Sequence, residues 1–364
     1  MSAEERNQKK IDDLERKVRA HPQDSDLFVA LVRAYMSAGK HGQAADLLEN
    51  RVLAAPPADW GLTVLCCEAC QQGGRPDRAY AFLTRLQDQF SVQASFWTLR
   101  GYMLEKMGRL EAAAQEHDRA LELDPTSAEA AFRRGATAMK AHREEEALQY
   151  FERCLSLDPK MTKAQINIGI LLDQMGKSEK AIEAFRHAIE ANPASVESIC
   201  NLGAAYGGLG RKKEAVAEFR HALEIDPECA EAHFNLGLAL MDDAPEESMS
   251  ALKRALSLDP GNWDINFNLG LIYFRKGMYD SAAKLLQQCV QARPDSVPAL
   301  YYLGVTHNKK DQPGLAIECL NRVLDLDPQN SRAHFYLGVA YDKKGQSEKA
   351  LLSYQAADRL DRHA

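Results

Sequence analysis

Along most of the chain, apolar residues stand one helical turn apart and the same pair returns about 34 residues later: Ile166 with Ile170, Cys200 with Ala204, Phe234 with Leu238, Phe267 with Leu271, Tyr301 with Val305 and Phe335 with Val339. A four-residue spacing puts both members on one face of a helix. A return at fixed distance marks an internal repeat, the signature of a stacked array. Prolines keep the same beat at Pro125, Pro159, Pro193, Pro227, Pro260, Pro294 and Pro328, with gaps of 34, 34, 34, 33, 34 and 34. Proline cannot continue a helix, so each marks where one helix stops before the next begins.

Two small residues stand at fixed places between successive prolines. Ten residues after each proline comes Gly135, Gly169, Gly203, Gly237, Gly270, Gly304 or Gly338, and Gly101 holds the place one repeat earlier. Glycine inside a helix is unfavourable by about 1 kcal/mol relative to alanine, so a register of eight calls for close approach of another helix. Twelve places on stands a second small residue, as in Ala113, Ala147, Ala181, Ala215, Ala282, Ala316 and Ala350, with Ser248 in the one repeat that is a residue short. Between the two lies a turn, usually with a glycine: Gly39, Gly74, Gly108, Gly176, Gly210, Gly277 or Gly345. Glycine there ends the first helix through a left-handed cap. Each unit therefore reads as helix A, a short turn and helix B.

These residues resemble the tetratricopeptide repeat family. The stretch Ala230-Glu231-Ala232-His233-Phe234-Asn235-Leu236-Gly237 through Ala255-Leu256-Ser257-Leu258-Asp259-Pro260 is close to its consensus. The resemblance implies an all-α, right-handed superhelical solenoid of antiparallel helix pairs. Ten units are placed at 25–58, 60–93, 94–127, 128–161, 162–195, 196–229, 230–262, 263–296, 297–330 and 331–364. Units one and two diverge, with Val32 and Cys67 where glycine is usual. Residues 3–20 form a charged amphipathic helix with Ile11, Leu14 and Val18 on one stripe, suited to cap the first repeat. At the other end Asp358, Arg359, Asp361 and Arg362 give the last helix the polar outer face of a terminal repeat.

Composition narrows what such an array can do. A net charge of −7 argues against nucleic-acid or anionic-membrane binding, and no apolar run approaches the length of a bilayer span. The expected location is cytoplasmic. Eight cysteines without a secretory leader are expected to remain thiols. Cys66, Cys67 and Cys70 include a CxxC, but no second Cys or His pair follows nearby, so core packing is expected and no metal or cofactor. No phosphate loop, zincin helix, nucleophile elbow or dinucleotide fingerprint is present, and no enzyme is expected.

The expected work is protein recognition. Asn167, Asn201, Asn235 and Asn268 stand two residues before the glycine in four successive units, and a carboxamide matches one peptide group with a donor and an acceptor. Beside them, Phe234, Phe267, Tyr301 and Phe335 offer an apolar floor. Arg275, Lys309 and Lys343 recur at the end of helix A in the last three units and suit an acidic ligand, while cations there also favour a helix C-terminus. The expectation is a scaffold or adaptor that holds an extended peptide or partner segment in the concave groove, acidic toward the C-terminal half. The alternative is a self-assembling protein whose solenoid faces or ends make homo-oligomers.

Overall fold

The computed structural model describes residues 3–54 and 58–362. Among them are twenty-two helices and no strand. The chain divides into two compact units, Met1–Ala191 and Asn192–Ala364.

The first unit contains α1 (Ala3–Ala20), followed by the pairs α2 (Ser25–Ser37) and α3 (His41–Ala54), then α4 (Trp60–Gln72) and α5 (Pro76–Arg85), the latter continued by a single turn, α6 (Gln87–Phe90). After these come α7 (Ala94–Lys106) with α8 (Leu110–Leu123), α9 (Ala128–Lys140) with α10 (Glu144–Leu157), and α11 (Thr162–Gln174) with α12 (Ser178–Ala191). The second unit contains the pairs α13 (Val196–Gly208) with α14 (Lys212–Ile225), α15 (Ala230–Ala239) with α16 (Pro245–Leu258), α17 (Trp263–Arg275) with α18 (Tyr279–Ala292), α19 (Val297–Lys309) with α20 (Pro313–Leu326), and α21 (Ser331–Lys343) with α22 (Ser347–Asp361).

Local chemistry sets these boundaries. Ser127, Ser195, Ser296 and Asn330 cap helices through side-chain oxygens that accept from the third backbone N–H beyond, as short polar side chains do at an N-terminus. At the other end, all seven turn glycines singled out by spacing have φ between 70° and 74°. Where glycine is missing, His142 (φ 55°) and Asp311 (φ 56°) adopt the same left-handed conformation. The hydrogen bonding is also the same: His142 N donates to Met139 O and Arg143 N to Ala138 O, as Gly108 N does to Glu105 O and Arg109 N to Leu104 O. The turn is thus fixed by the packing of its two helices, and glycine only makes it easier to adopt.

The pairs close on the small residues. A Cβ at Gly203 would lie 2.6 Å from Phe219 Cε1, so the ring of helix B occupies the space above the glycine. Phe151, Phe185, Leu252, Leu286, Leu320 and Tyr354 hold the corresponding place in other pairs, and in α8 it is taken by His117. That imidazole is fully buried, and neither ring nitrogen has a hydrogen-bond partner among the described residues. Burial, followed by the nearby Arg133 and Arg134 cations, lowers its pKa to about 3.

α1 lays Ile11, 1% exposed, and the half-buried Leu14 and Val18 against the apolar core that continues through Phe28, Leu31 and Val32 of α2. Its polar edge is also tied down, since Tyr35 donates to Glu15 and Lys40 Nζ donates to Gln8 Oε1 at 2.6 Å. Cys66, Cys67 and Cys70 are all buried in that core.

Candidate interaction surface

The second unit carries a row of partly exposed aromatic rings on its first-of-pair helices. Leu236, Leu269, Leu303 and Leu337 are buried in the pairs, at 6%, 1%, 1% and 6% exposure. Two residues earlier the helix has turned through about 200°, and there Phe234, Phe267 and Tyr301 are half-buried while Phe335 is 49% exposed. Leu238, one turn beyond Phe234, is also exposed.

From Phe267 onward, neighbouring rings join this row into a continuous rail. Trp263 stacks on Phe267 at 4.9 Å, Phe267 meets Tyr302 edge-on at 6.1 Å, and Tyr302 meets Tyr301 at 5.2 Å. Tyr301 then contacts Tyr336 at 5.9 Å, Tyr336 contacts Phe335 at 5.4 Å, and Phe335 contacts Tyr354 at 5.6 Å. These spacings fall in the range where aromatic pairs attract beyond simple burial. A concavity of about 540 Å³ opens at the end of the rail, lined by Tyr301, Arg332, Phe335, Tyr336, Ala357 and Asp358 among others. Burial, and then the neighbouring Tyr336, push the Tyr301 hydroxyl up to about 12. Reading the sequence at one position per repeat found Phe267, Tyr301 and Phe335 but missed Trp263, Tyr302 and Tyr336. The doublets Tyr301-Tyr302 and Phe335-Tyr336 were the available signal.

The four asparagines are not equivalent. Asn167 belongs to the first unit, and Asn201, Asn235 and Asn268 to the second. All are half-buried. Asn268 Nδ2 donates to Asp264 O in its own helix at 2.8 Å, which engages one end of its amide.

The basic trio is also divided. Arg275 pairs with Asp242 at 3.4 Å, and Lys343 Nζ donates to Asp311 Oδ1 at 3.0 Å and to Asn308 O at 2.7 Å. Adjacent to the trio, Lys310 pairs with Asp280 at 2.8 Å and Lys276 with Glu246. Each of these contacts reaches back to the preceding pair of helices, so the cations fasten neighbours together. Lys309 is exposed and has no ion pair among the described residues.

A second concavity, of about 560 Å³, lies in the first unit and is lined by Trp60, Val92, Leu99, Tyr102, Leu123 and Arg133 among others. Val92 is 79% exposed, and the Arg133 guanidinium sits 4.2 Å from the Tyr102 ring centre while pairing with Glu129 at 2.7 Å. Nothing in the repeat pattern marks this site, because its lining is gathered from the divergent second repeat (Trp60, Val92) and from regular α7, α8 and α9 (Leu99, Tyr102, Leu123, Arg133). Among the described residues, no helix is long and apolar enough to cross a membrane.

Models described as tetratricopeptide repeat match residues 138–206 and 239–305, and residues 71–128, 108–162 and 301–364, while one described as TPR repeat matches residues 209–243. No curated protein matches the chain. Among solved structures, MamA MSR-1 is similar at 25% identity, over 46% of this chain and 97% of its own, with a TM-score of 0.43. YrrB, described as a TPR protein with an unusual peptide-binding site, is 24% identical over 50% of this chain and 95% of its own, with a TM-score of 0.44.

Proposed function

Because the chain belongs to the tetratricopeptide repeat family, we propose that it is a non-catalytic scaffold whose second unit holds an extended segment of a partner protein against α13, α15, α17, α19 and α21. In this reading the ten units at 25–58, 60–93, 94–127, 128–161, 162–195, 196–229, 230–262, 263–296, 297–330 and 331–364 are the repeats, and α1 covers the first of them. The observation that carries it is the ring rail from Trp263 to Tyr354. Partly exposed aromatics in continuous contact offer a large apolar area, with little side-chain freedom to lose on binding.

Backbone recognition falls to Asn201 and Asn235, and Asn268 contributes less because its amide is engaged by Asp264 O. An acidic ligand meets Lys309 first, since Arg275 and Lys343 already hold carboxylates. Charge selection is therefore secondary to the rail.

The test begins with partners recovered on the wild-type chain and then titrated as purified segments. Asn201→Ala and Asn235→Ala each remove about one net hydrogen bond, worth about 0.5–1.5 kcal/mol, and weaken ligands of different sequence alike by roughly threefold to tenfold. Phe335→Ala and Tyr301→Ala discriminate among ligands. A protein carrying all four changes that melts normally and keeps full affinity would refute the assignment.

Self-association is favoured by one observation of its own. Leu351 and Leu352 on α22 are 57% and 60% exposed, next to each other on one helix. Light scattering that grows with concentration in the wild type and not in Leu352→Glu would place that contact on α22.

A further inference from the structure

The three cysteines of α4 divide into two sets. Cys67 is fully buried in the core, whereas Cys66 and Cys70, four residues apart, share a helix face, and α3 brings Glu49 to the same place. The two sulfurs and a Glu49 carboxylate oxygen all lie within 4.8 Å of one another. Cys66 and Cys70 are 0% and 3% exposed, and the Glu49 side chain is 18% exposed at the rim. Arg78 holds Glu49 in position, donating from Nε to Oε1 at 2.6 Å, and its other arm reaches Asp46.

We propose that Glu49, Cys66 and Cys70 form a binding site for one thiophilic divalent cation of the zinc type. Tetrahedral zinc, with bonds of about 2.3 Å to sulfur and about 2.0–2.2 Å to oxygen, sets its ligand atoms roughly 3.3–3.8 Å apart. The cluster thus needs only small side-chain adjustments to close on an ion. Two sulfurs select against calcium and magnesium, which take oxygen. A divalent ion, two thiolates, one carboxylate and the Arg78 guanidinium sum to zero, and the Asp46 carboxylate that shares Arg78 is 63% exposed and so solvated outside the buried set. A carboxylate has lone pairs enough to accept from Arg78 and bind a metal together, and such an outer partner orients its ligand. Glu49 is the solvent edge, where water completes the fourth position.

Coordination requires both thiols to give up their protons, so binding releases two protons and the apparent affinity falls about hundredfold for each unit of pH below the thiol range. The sequence offers Cys66 and Cys70 but not the site, because its third ligand comes from another helix and is not a cysteine or a histidine.

The experiment uses the full chain, kept reduced, and titrates it with Cd²⁺ while following thiolate-to-metal charge-transfer absorbance, with Zn²⁺ as competitor. One equivalent is expected to bind with two thiolates. Cys66→Ser and Cys70→Ser abolish that signal, Glu49→Gln weakens binding tenfold or more, and Cys67→Ala leaves it unchanged. If the serine variants fail to fold, Glu49→Gln decides, because its side chain reaches the surface and tolerates the change. A wild-type chain without stoichiometric thiolate absorbance, or a Glu49→Gln chain with wild-type affinity and proton release, overturns the proposal.

Discussion

Gly101 of α7 lies directly against His117 of α8, so close that a Cβ on Gly101 would come within 2.5 Å of His117 Cε1 and within 2.9 Å of both ring nitrogens. The ring is rigid and enclosed, and it has nowhere to move. Gly101→Ala is therefore expected to destabilise the first unit by about 1–3 kcal/mol, the usual cost of overpacking. At Gly270 the nearest atom to such a Cβ is Leu286 Cγ, 3.3 Å away and on a flexible side chain. Gly270→Ala should be neutral or gain up to about 1 kcal/mol from helix propensity. Urea unfolding of the two variants checks the contrast.

The same histidine makes stability depend on pH. Its folded pKa is near 3 against an ordinary value of 6.5, so between these values the unfolded chain binds a proton that the folded chain excludes. Its contribution is fully present above pH 6.5 and is lost as pH falls toward 3, at up to about 1.4 kcal/mol per unit. At pH 5 the loss is about 2 kcal/mol. His117→Phe, which installs the residue found at Phe151, Phe185 and Phe219, should remove this component of the pH profile. It should also add about 1–3 kcal/mol at pH 7 by eliminating two unpaired buried nitrogens. Identical wild-type and variant profiles between pH 7 and 5 would contradict the assignment.

The Lys343–Asp311 pair separates a structural role from a ligand role. Lys343→Glu is expected to cost up to about 1 kcal/mol, the range for a largely exposed ion pair. Adding Asp311→Lys should restore the pair's share of that loss, less the steric cost of lysine at φ 56°, which Asp311→Lys alone reports. If Lys343 acts on the ligand as well, the double swap recovers thermal stability but not affinity for an acidic segment. Melting curves and binding titrations on the wild type, the two single variants and the double variant distinguish the cases.

At the α9–α10 turn, His142 pays a steric cost to hold φ 55° that glycine avoids. His142→Gly is expected to raise stability by up to about 1 kcal/mol, read as a higher melting temperature with an unchanged helical circular-dichroism spectrum.

Helix content, pairing and the left-handed turns were legible because each rests on a rule local to one repeat: a proline that stops, a glycine that turns, an apolar residue every third or fourth place. The turn glycines Gly39 to Gly345 show this directly, since spacing alone located every one that has positive φ. What could not be read is what depends on contacts between repeats. Arg275 and Lys343 looked available for a ligand because nothing near them in sequence is acidic in the right place, whereas Asp242 and Asp311 stand 33 and 32 residues away. His117 stands where other repeats carry Phe151, Phe185 and Phe219, and a polar residue at that place gives no sign in the sequence that it is buried. Asn268 shared a register with Asn201 and Asn235, yet a backbone oxygen one turn back engages it.

The α15–α16 pair is built differently from its neighbours, with ten residues in α15 where α13 and α17 have thirteen, and with the buried Ser248 hydroxyl donating to Gly237 O. In a stacked array each hairpin is supported only by its neighbours. A load applied to the ends of the second unit therefore passes through every hairpin in series. The pair with the shortest first helix in Asn192–Ala364 is expected to yield before the rest, so stretching that unit should release α15 first.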